Sequence, residues 1–202
     1  MIKMLNMDCM EYMRTVPDKY FDLACVDPPY GLGVNSMNMF DGAKKQARHK
    51  EYVDIAPNSF YFEEVFRVSK NQIIFGGNYF HLPPTRCYLS WDKMQEFSGS
   101  DFELAWTSFD RPSKAFRMCR AEAYGKGTIH PTQKPVKLYQ WLLQNYAKPE
   151  YKILDTHLGS GSSAIAAHYF GVAEFVGTEL DEDYYKACCE RFENATAQEA
   201  LF

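Results

Sequence analysis

Tyr151-Lys152-Ile153-Leu154-Asp155-Thr156-His157-Leu158-Gly159-Ser160-Gly161-Ser162 is the stretch whose reading decides the fold. Residues 151–154 form a short apolar run that ends on an acid, which reads as a strand. Two glycines follow at once. Glycine lets the backbone turn sharply and approach a bound molecule closely, as it does in dinucleotide sites. Residues 162–170 then read as a helix, with Gly171 placed as its left-handed C-terminal stop. Residues 175–178 read as the next strand, and Glu179 ends it. A carboxylate at that point can accept hydrogen bonds from ribose hydroxyls. Strand, glycine turn, helix, strand and acid in that order predict one unit of a parallel α/β sheet. A glycine-rich turn that binds nothing is the competing reading.

The alternation continues upstream. Residues 2–5 read as a strand, and 9–15 as a helix stopped near Pro17. Residues 21–26 read as a buried strand, 60–68 as a helix, and 72–75 as a strand followed by Gly76-Gly77-Asn78. Residues 86–91 and 102–107 read as two more strands. Pro135 suits the first position of a helix. Leu138, Tyr139, Leu142, Leu143 and Tyr146 supply its apolar stripe, and it must end before Pro149. A last helix is predicted over 183–192. Strands alternating with helices imply an α/β fold with a mostly parallel sheet. Residues 31–58 and 108–130 show no sustained period and read as irregular. Long loops in compact domains are usually functional or mobile.

Asp27-Pro28-Pro29-Tyr30 follows the strand at 21–26. Two prolines cannot continue a hydrogen-bonded ladder, so the chain must leave the sheet there. Ligands of open α/β sheets bind just past the carboxyl ends of strands. The chemistry that suits this loop is transfer to an exocyclic amine. Such a nitrogen is a poor nucleophile, because its lone pair is delocalised into the ring. A carboxylate and a fixed carbonyl, both accepting from the amino group, favour a pyramidal nitrogen and stabilise the positive charge that develops. Asp27 and the Pro28 carbonyl fit those roles, and Pro29 holds the carbonyl in place. Tyr30 can stack on an extruded base. The plainer reading is an Asp-Pro-Pro turn with Tyr30 packed over it. A third segment, His130-Pro131-Thr132-Gln133-Lys134-Pro135, leads into a helix. Read alone, it is only a helix start with polar groups near an electropositive terminus.

Composition sets the limits. The chain has 202 residues, 46% hydrophobic and 16% aromatic, which suits one domain with a full core. No apolar run reaches the roughly 18–20 residues of a membrane span. Asn6 and Asp8 interrupt the N-terminus too early for a signal peptide. A cytoplasmic protein is expected. Six cysteines, Cys9, Cys25, Cys87, Cys119, Cys188 and Cys189, make no C-x-x-C pair. They read as reduced thiols, with neither a metal site nor a disulfide framework. The net charge is −4, which is unusual for a partner of nucleic acid. However, Lys44, Lys45, Arg48 and Lys50 form one basic cluster, and Arg111, Lys114, Arg117, Arg120 and Lys126 form another. A basic face on an acidic body is compatible with DNA; solvated charged loops are the alternative.

Together these segments resemble the amino-group DNA methyltransferases that act on adenine N6 or cytosine N4. The order of catalytic loop, H-P-T-Q-K-P segment and glycine loop is similar to that of the permuted beta class, with small phage and prophage members as the nearest comparison. The likeness runs from about Asn6 to Phe192 and includes Ile73-Ile74-Phe75-Gly76-Gly77-Asn78 and Leu89-Ser90-Trp91-Asp92-Lys93. It implies a Rossmann-like fold with a seven-stranded sheet, one strand antiparallel, and helices on both faces. Residues 1–202 would be one catalytic domain, with 31–58 and 108–129 as DNA-contacting loops. S-adenosylmethionine would be the cofactor. Asp8 would lie near its adenine amino group and Glu179 at its ribose. Asp155, Gly159, Ser160 and Gly161 would surround its methionine part, and Thr132 and Lys134 would close that end. Asp27, Pro28, Pro29 and Tyr30 would carry the transfer, with Asp27 also against the cofactor.

One departure stands out. The family usually has Pro-Phe after the acid of the glycine loop, whereas this chain has Thr156-His157. His157 would touch the cofactor and add a pH-sensitive group. The recognition segments are also short, which implies a short target, loose specificity, or help from a second subunit in a homodimer. The Asp-led catalytic loop is commoner among adenine enzymes, so adenine N6 is expected in the manner of restriction-modification methylases. Cytosine N4 is the alternative. A protein that binds DNA or cofactor without turnover is another, motivated by Thr156-His157.

Overall fold

The computed structural model describes residues 1–33, 54–94, 100–125 and 127–197. The basic cluster at 44–50 and Lys126 lie outside these residues. Eight strands form one sheet: β1 (Ile2–Asn6), β2 (Phe21–Val26), β3 (Ser69–Phe75), β4 (Tyr88–Asp92), β5 (Phe102–Thr107), β6 (Lys114–Arg117), β7 (Lys152–Asp155) and β8 (Glu174–Glu179). Their order is β1-β8-β7-β2-β3-β5-β4-β6. All neighbours pair in parallel except at β5, which is antiparallel to both β3 and β4. The implied sheet with a single reversed strand is therefore present, with eight strands among the described residues rather than seven.

The extra strand corrects the reading of 108–130 as irregular. That segment contains β6 and a short helix, α3 (Arg120–Tyr124). Lys-Ala-Phe-Arg offers only one partly buried side chain, Phe116, so it carries almost no apolar signal. Edge pairing to β4, not burial, makes it a strand.

Helices α1 (Cys9–Arg14) and α2 (Ser59–Val68) cover one face. Helices α4 (Val136–Tyr146), α5 (Ser162–Phe170) and α6 (Glu182–Ala197) lie on the other. The strands alternate accordingly. Leu23, Cys25, Ile73, Phe75, Ile153 and Phe175 join the core beneath α4, α5 and α6. Ala24, Val26, Ile74, Leu154 and Val176 join the core beneath α1 and α2. Each large apolar side chain buried this way contributes about 1.5–3 kcal/mol. Helix α5 is small and buried all round: Ser162, Ser163, Ala164, Ala166 and Ala167 let α4 pack closely against it. Pro135 is the N-cap of α4 rather than its first helical residue, with extended backbone at ψ 143°. Gly171 closes α5 in the left-handed region, at φ 77°. No helix among the described residues is long and apolar enough to cross a membrane. Cys25, Cys87 and Cys188 are buried; Cys9, Cys119 and Cys189 are half-buried, and all six are free.

The chain leaves β2 toward the α2 face and β7 toward the α5 face. These two strands are adjacent. Their connections therefore diverge and open a crevice at the carboxyl ends, the position where open α/β sheets bind ligands.

Candidate active site

A cavity of about 530 Å³ occupies that crevice, a size common for small-molecule sites. Its wall is contributed by the ends of four adjacent strands: Asp8 after β1, Asp27 and Pro29 after β2, Thr156 to Ser160 after β7, and Glu179 and Leu180 after β8. The segment before α4 closes it with His130, Thr132, Gln133 and Lys134.

The glycine loop is fixed largely through its backbone, by bonds to Glu179 and Arg191. Gly159 N–H donates to Glu179 Oε2 at 2.8 Å, and Asp181 N–H to Oε1 at 3.0 Å. Gly161 has φ 73°, and a Cβ there would stand 2.6 Å from Cys188 Sγ, so only glycine fits. Arg191, from α6, donates to the Ser160 carbonyl at 2.6 Å and to Ser162 Oγ at 3.0 Å. Ser162 Oγ donates to the Lys134 carbonyl, tying the glycine loop to the start of α4. The His130 ring lies beside Gly159 and edge-on to Tyr184, with centroids 4.4 Å apart.

Asp155 is buried behind this loop. It accepts from Ser163 Oγ and from the His157 N–H. Burial pushes its pKa up to about 7, against those two hydrogen bonds. His157 is partly buried, and burial pulls its pKa down to about 4. Its Nδ1 lies 3.0 Å from Thr156 Oγ1, which in turn lies 2.6 Å from the Tyr61 hydroxyl. The Tyr61 and His157 rings meet edge to face. His157 thus stands where the family's aromatic is expected, held by a polar chain through Thr156 to Tyr61.

The 27–30 loop is held by charge. Asp27 Oδ1 accepts from the Tyr30 hydroxyl at 2.8 Å, and Oδ2 accepts from Lys134 Nζ. Lys134 is buried, also lies 3.4 Å from Glu103 Oε2, and sits 4.7 Å from the Phe75 ring centroid. Burial would pull its pKa down, but Asp27 and the other acidic neighbours outweigh that and hold it well above the ordinary lysine value. Burial raises Asp27, and the lysine opposes that rise without cancelling it. The Tyr30 ring stacks on Tyr79 at 5.2 Å. Gly76, with φ 65°, lies under Tyr30; a Cβ there would fall 2.2 Å from the ring. That close approach explains the glycine after β3.

Of the residues expected to matter, Asp8, Asp27, Pro29, Thr132, Lys134, His157, Gly159, Ser160 and Glu179 meet at the cavity. Pro28, Tyr30, Asp155 and Gly161 are not part of its wall; Tyr30 touches Asp27, and Asp155 and Gly161 support the loop from behind. Asp8 is also the N-cap of α1, its Oδ1 accepting from Met10 and Glu11 N–H at 2.7 and 3.1 Å. Sequence reading missed Tyr61, Glu103, Tyr184 and Arg191. None sits in a local pattern; each arrives from an element remote in sequence. His130, whose segment reads in sequence only as a helix start, packs directly on the glycine loop.

Residues 90–190, half of the chain, match the N6_N4_Mtase family, described as DNA methylase. The chain belongs to this family of amino-group DNA methylases, whose cofactor is S-adenosylmethionine. Along its whole length it is 27% identical to the Escherichia coli (strain K12) protein named as the methylase YubD, and covers 93% of it. Its fold superposes on M1.HpyAVI in complex with S-adenosylmethionine, with TM-score 0.62 and 16% identity over 95% of this chain and 100% of that one. It superposes equally on the PvuII DNA methyltransferase (cytosine-N4-specific), with TM-score 0.63 and 14% identity over 97% and 90%. The fold is that of the S-adenosylmethionine-dependent methyltransferases.

Proposed function

We propose that this protein methylates the N6 amino group of adenine in DNA. What carries the reading is the meeting of Asp27, at the end of β2, with Glu179 and the glycine loop around one cavity. The donor and acceptor set suits S-adenosylmethionine. Glu179 and Asp8 would accept from the ribose hydroxyls and the adenine amino group. The backbone of Gly159 and Ser160, with Thr132 and Lys134, would surround the methionine part. His157, neutral at ordinary pH, would border the adenosine. Bound there, the cofactor supplies an electrophilic methyl group on a positively charged sulfur.

The remaining work falls to side chains. Asp27 and the Pro28 carbonyl accept hydrogen bonds from the amino group and favour its pyramidal form. They stabilise the positive charge that develops on nitrogen, an effect worth about 10²–10³ in rate per well-placed group. Tyr30 offers its face to the extruded base. The Asp-led loop favours adenine. DNA would be gripped along the β6 edge by Arg117, at the end of β6, and Arg120, at the start of α3, toward the same end of the sheet as the cavity; Lys114 is turned instead to Asn145 at the far end of α4. Residues 31–58, most of which lie outside the described residues, would be the second DNA-contacting segment.

Radiolabelled cofactor should enter DNA, and nucleoside analysis should yield N6-methyladenine. N4-methylcytosine would replace the base assignment. Cofactor binding without label in any base would favour a binding protein without turnover.

A further inference from the structure

Glu103 stands beside the proposed catalytic group and has no part in the chemistry above. It sits on β5, opposite Trp91. Its Oε1 lies 2.9 Å from Lys93 Nζ, and its Oε2 lies 3.4 Å from Lys134 Nζ. Lys134 is bonded to Asp27 at the same time. The buried ammonium therefore has two carboxylates in reach, one bonded and one just past bonding distance. A partner serving Lys93 alone needs only one oxygen. Burial would push Glu103 up, but Lys134 and Lys93 bring it below the usual carboxylate range, so it is ionised. Lys93, Lys134, Asp27 and Glu103 form a balanced set, two charges of each sign.

Building on the transfer reading above, we propose that Glu103 is a positioning residue that receives Lys134 from Asp27 when the target amino group arrives. Each Asp27 oxygen already accepts one bond in this structure, from Tyr30 and from Lys134, and the ammonium draws on the charge that the target amino group would use. The incoming amino group needs that acceptor. An ammonium left on Asp27 would also oppose the positive charge growing on the nitrogen. Releasing a buried ammonium into apolar surroundings is costly. Glu103 removes that cost, because a small movement takes Lys134 from one carboxylate to the other. No covalent bond changes, and the net charge of the four groups is unaltered.

The test is Glu103→Gln in the full chain, which keeps the shape and removes the charge. With DNA and S-adenosylmethionine, kcat should fall roughly tenfold, the effect of about 1.4 kcal/mol in the barrier. KM for both substrates should stay the same, and Glu103→Asp should recover part of the loss. In cofactor-free protein, carbon-13 NMR should show Asp27 titrating at lower pH in Glu103→Gln, since Asp27 then holds the lysine alone. A folded Glu103→Gln protein with wild-type kcat and an unmoved Asp27 titration overturns the proposal. If that variant does not fold, Glu103→Gln/Lys134→Met removes one charge of each sign and is compared with Lys134→Met. Equal rates support the shared lysine; a further loss in the double variant overturns it. A wild-type chain that methylates no DNA refutes the transfer reading instead, whereas an Asp27 titration unmoved by Glu103→Gln refutes the shared lysine on its own.

Discussion

The two sides of the cavity are held by different physics. On the glycine-loop side, bonds to the backbone fix the loop, Gly159 N–H to Glu179 and Arg191 to the Ser160 carbonyl, with Ser163 bonded to Asp155 behind it. On the 27–30 side, Asp27 is held by an ammonium and a phenol, and the ammonium has a second carboxylate beside it. Backbone bonds set one arrangement. Ionic contacts among several partners allow exchange at little net cost. The difference suits a pocket in which one wall holds a cofactor and the other admits a base.

The comparison can be broken from either side. The largest effect is expected at Asp27. Asp27→Ala should lower methyl transfer by about 10³-fold or more, while calorimetry finds cofactor affinity little changed. Equal losses of both would mean that the two walls are not separable. Gly161→Ala should do the reverse. Its φ of 73° and the 2.6 Å approach to Cys188 Sγ force strain, costing about 1–3 kcal/mol of stability in urea melts, with weakened cofactor binding.

His157→Phe restores the aromatic usual in the family and tests the buried titrating pair behind the loop. Asp155 has its folded pKa raised to about 7, so its stabilising contribution is present at low pH and lost as pH rises from about 4 to about 7. His157 has its folded pKa lowered to about 4, so its contribution is present above about 6.5 and lost as pH falls toward 4. Across that window the two slopes oppose and nearly cancel. With phenylalanine at 157 only the Asp155 slope remains. The variant should gain on the wild type by about 1.4 kcal/mol for each pH unit lowered from 6.5, read as relative unfolding free energy. No pH-dependent difference would show that the pair is not titrating there. The smallest effect belongs to Thr156→Val, which leaves the Tyr61 hydroxyl without its partner and should cost about 1 kcal/mol in the same melts.

Much of this architecture was legible in order. The strand at 21–26, the strand at 102–107 and the helix at 162–170 carry apolar patterns and terminal glycine or proline signals strong enough to set their bounds. The 114–117 strand was not legible, because a four-residue edge strand with a basic residue at each end buries too little to leave a pattern. The meeting of 27 with 179 and the glycine loop was implied by the family resemblance and by their places at the carboxyl ends of strands. The contacts inside the site did not. Lys134 to Asp27 spans 107 positions, and Tyr61 to Thr156 spans 95. Such pairs follow from sheet register and helix docking, neither of which a single sequence displays locally. Glu103 reads in sequence as one polar residue near the start of a strand, and only the antiparallel turn of that strand brings it to Lys134.

The pairing of the first strand with the last has a consequence for biosynthesis. Ile2 lies opposite Phe175, and Arg191 completes the glycine loop. A growing chain can make the 27–30 loop with β2 and β3 long before the wall opposite exists. β1 must wait, unpaired, until β8 has left the ribosome. A nascent or truncated chain would therefore carry the Asp27 loop without a pocket for a methyl donor, and competence would come all at once with the last helix.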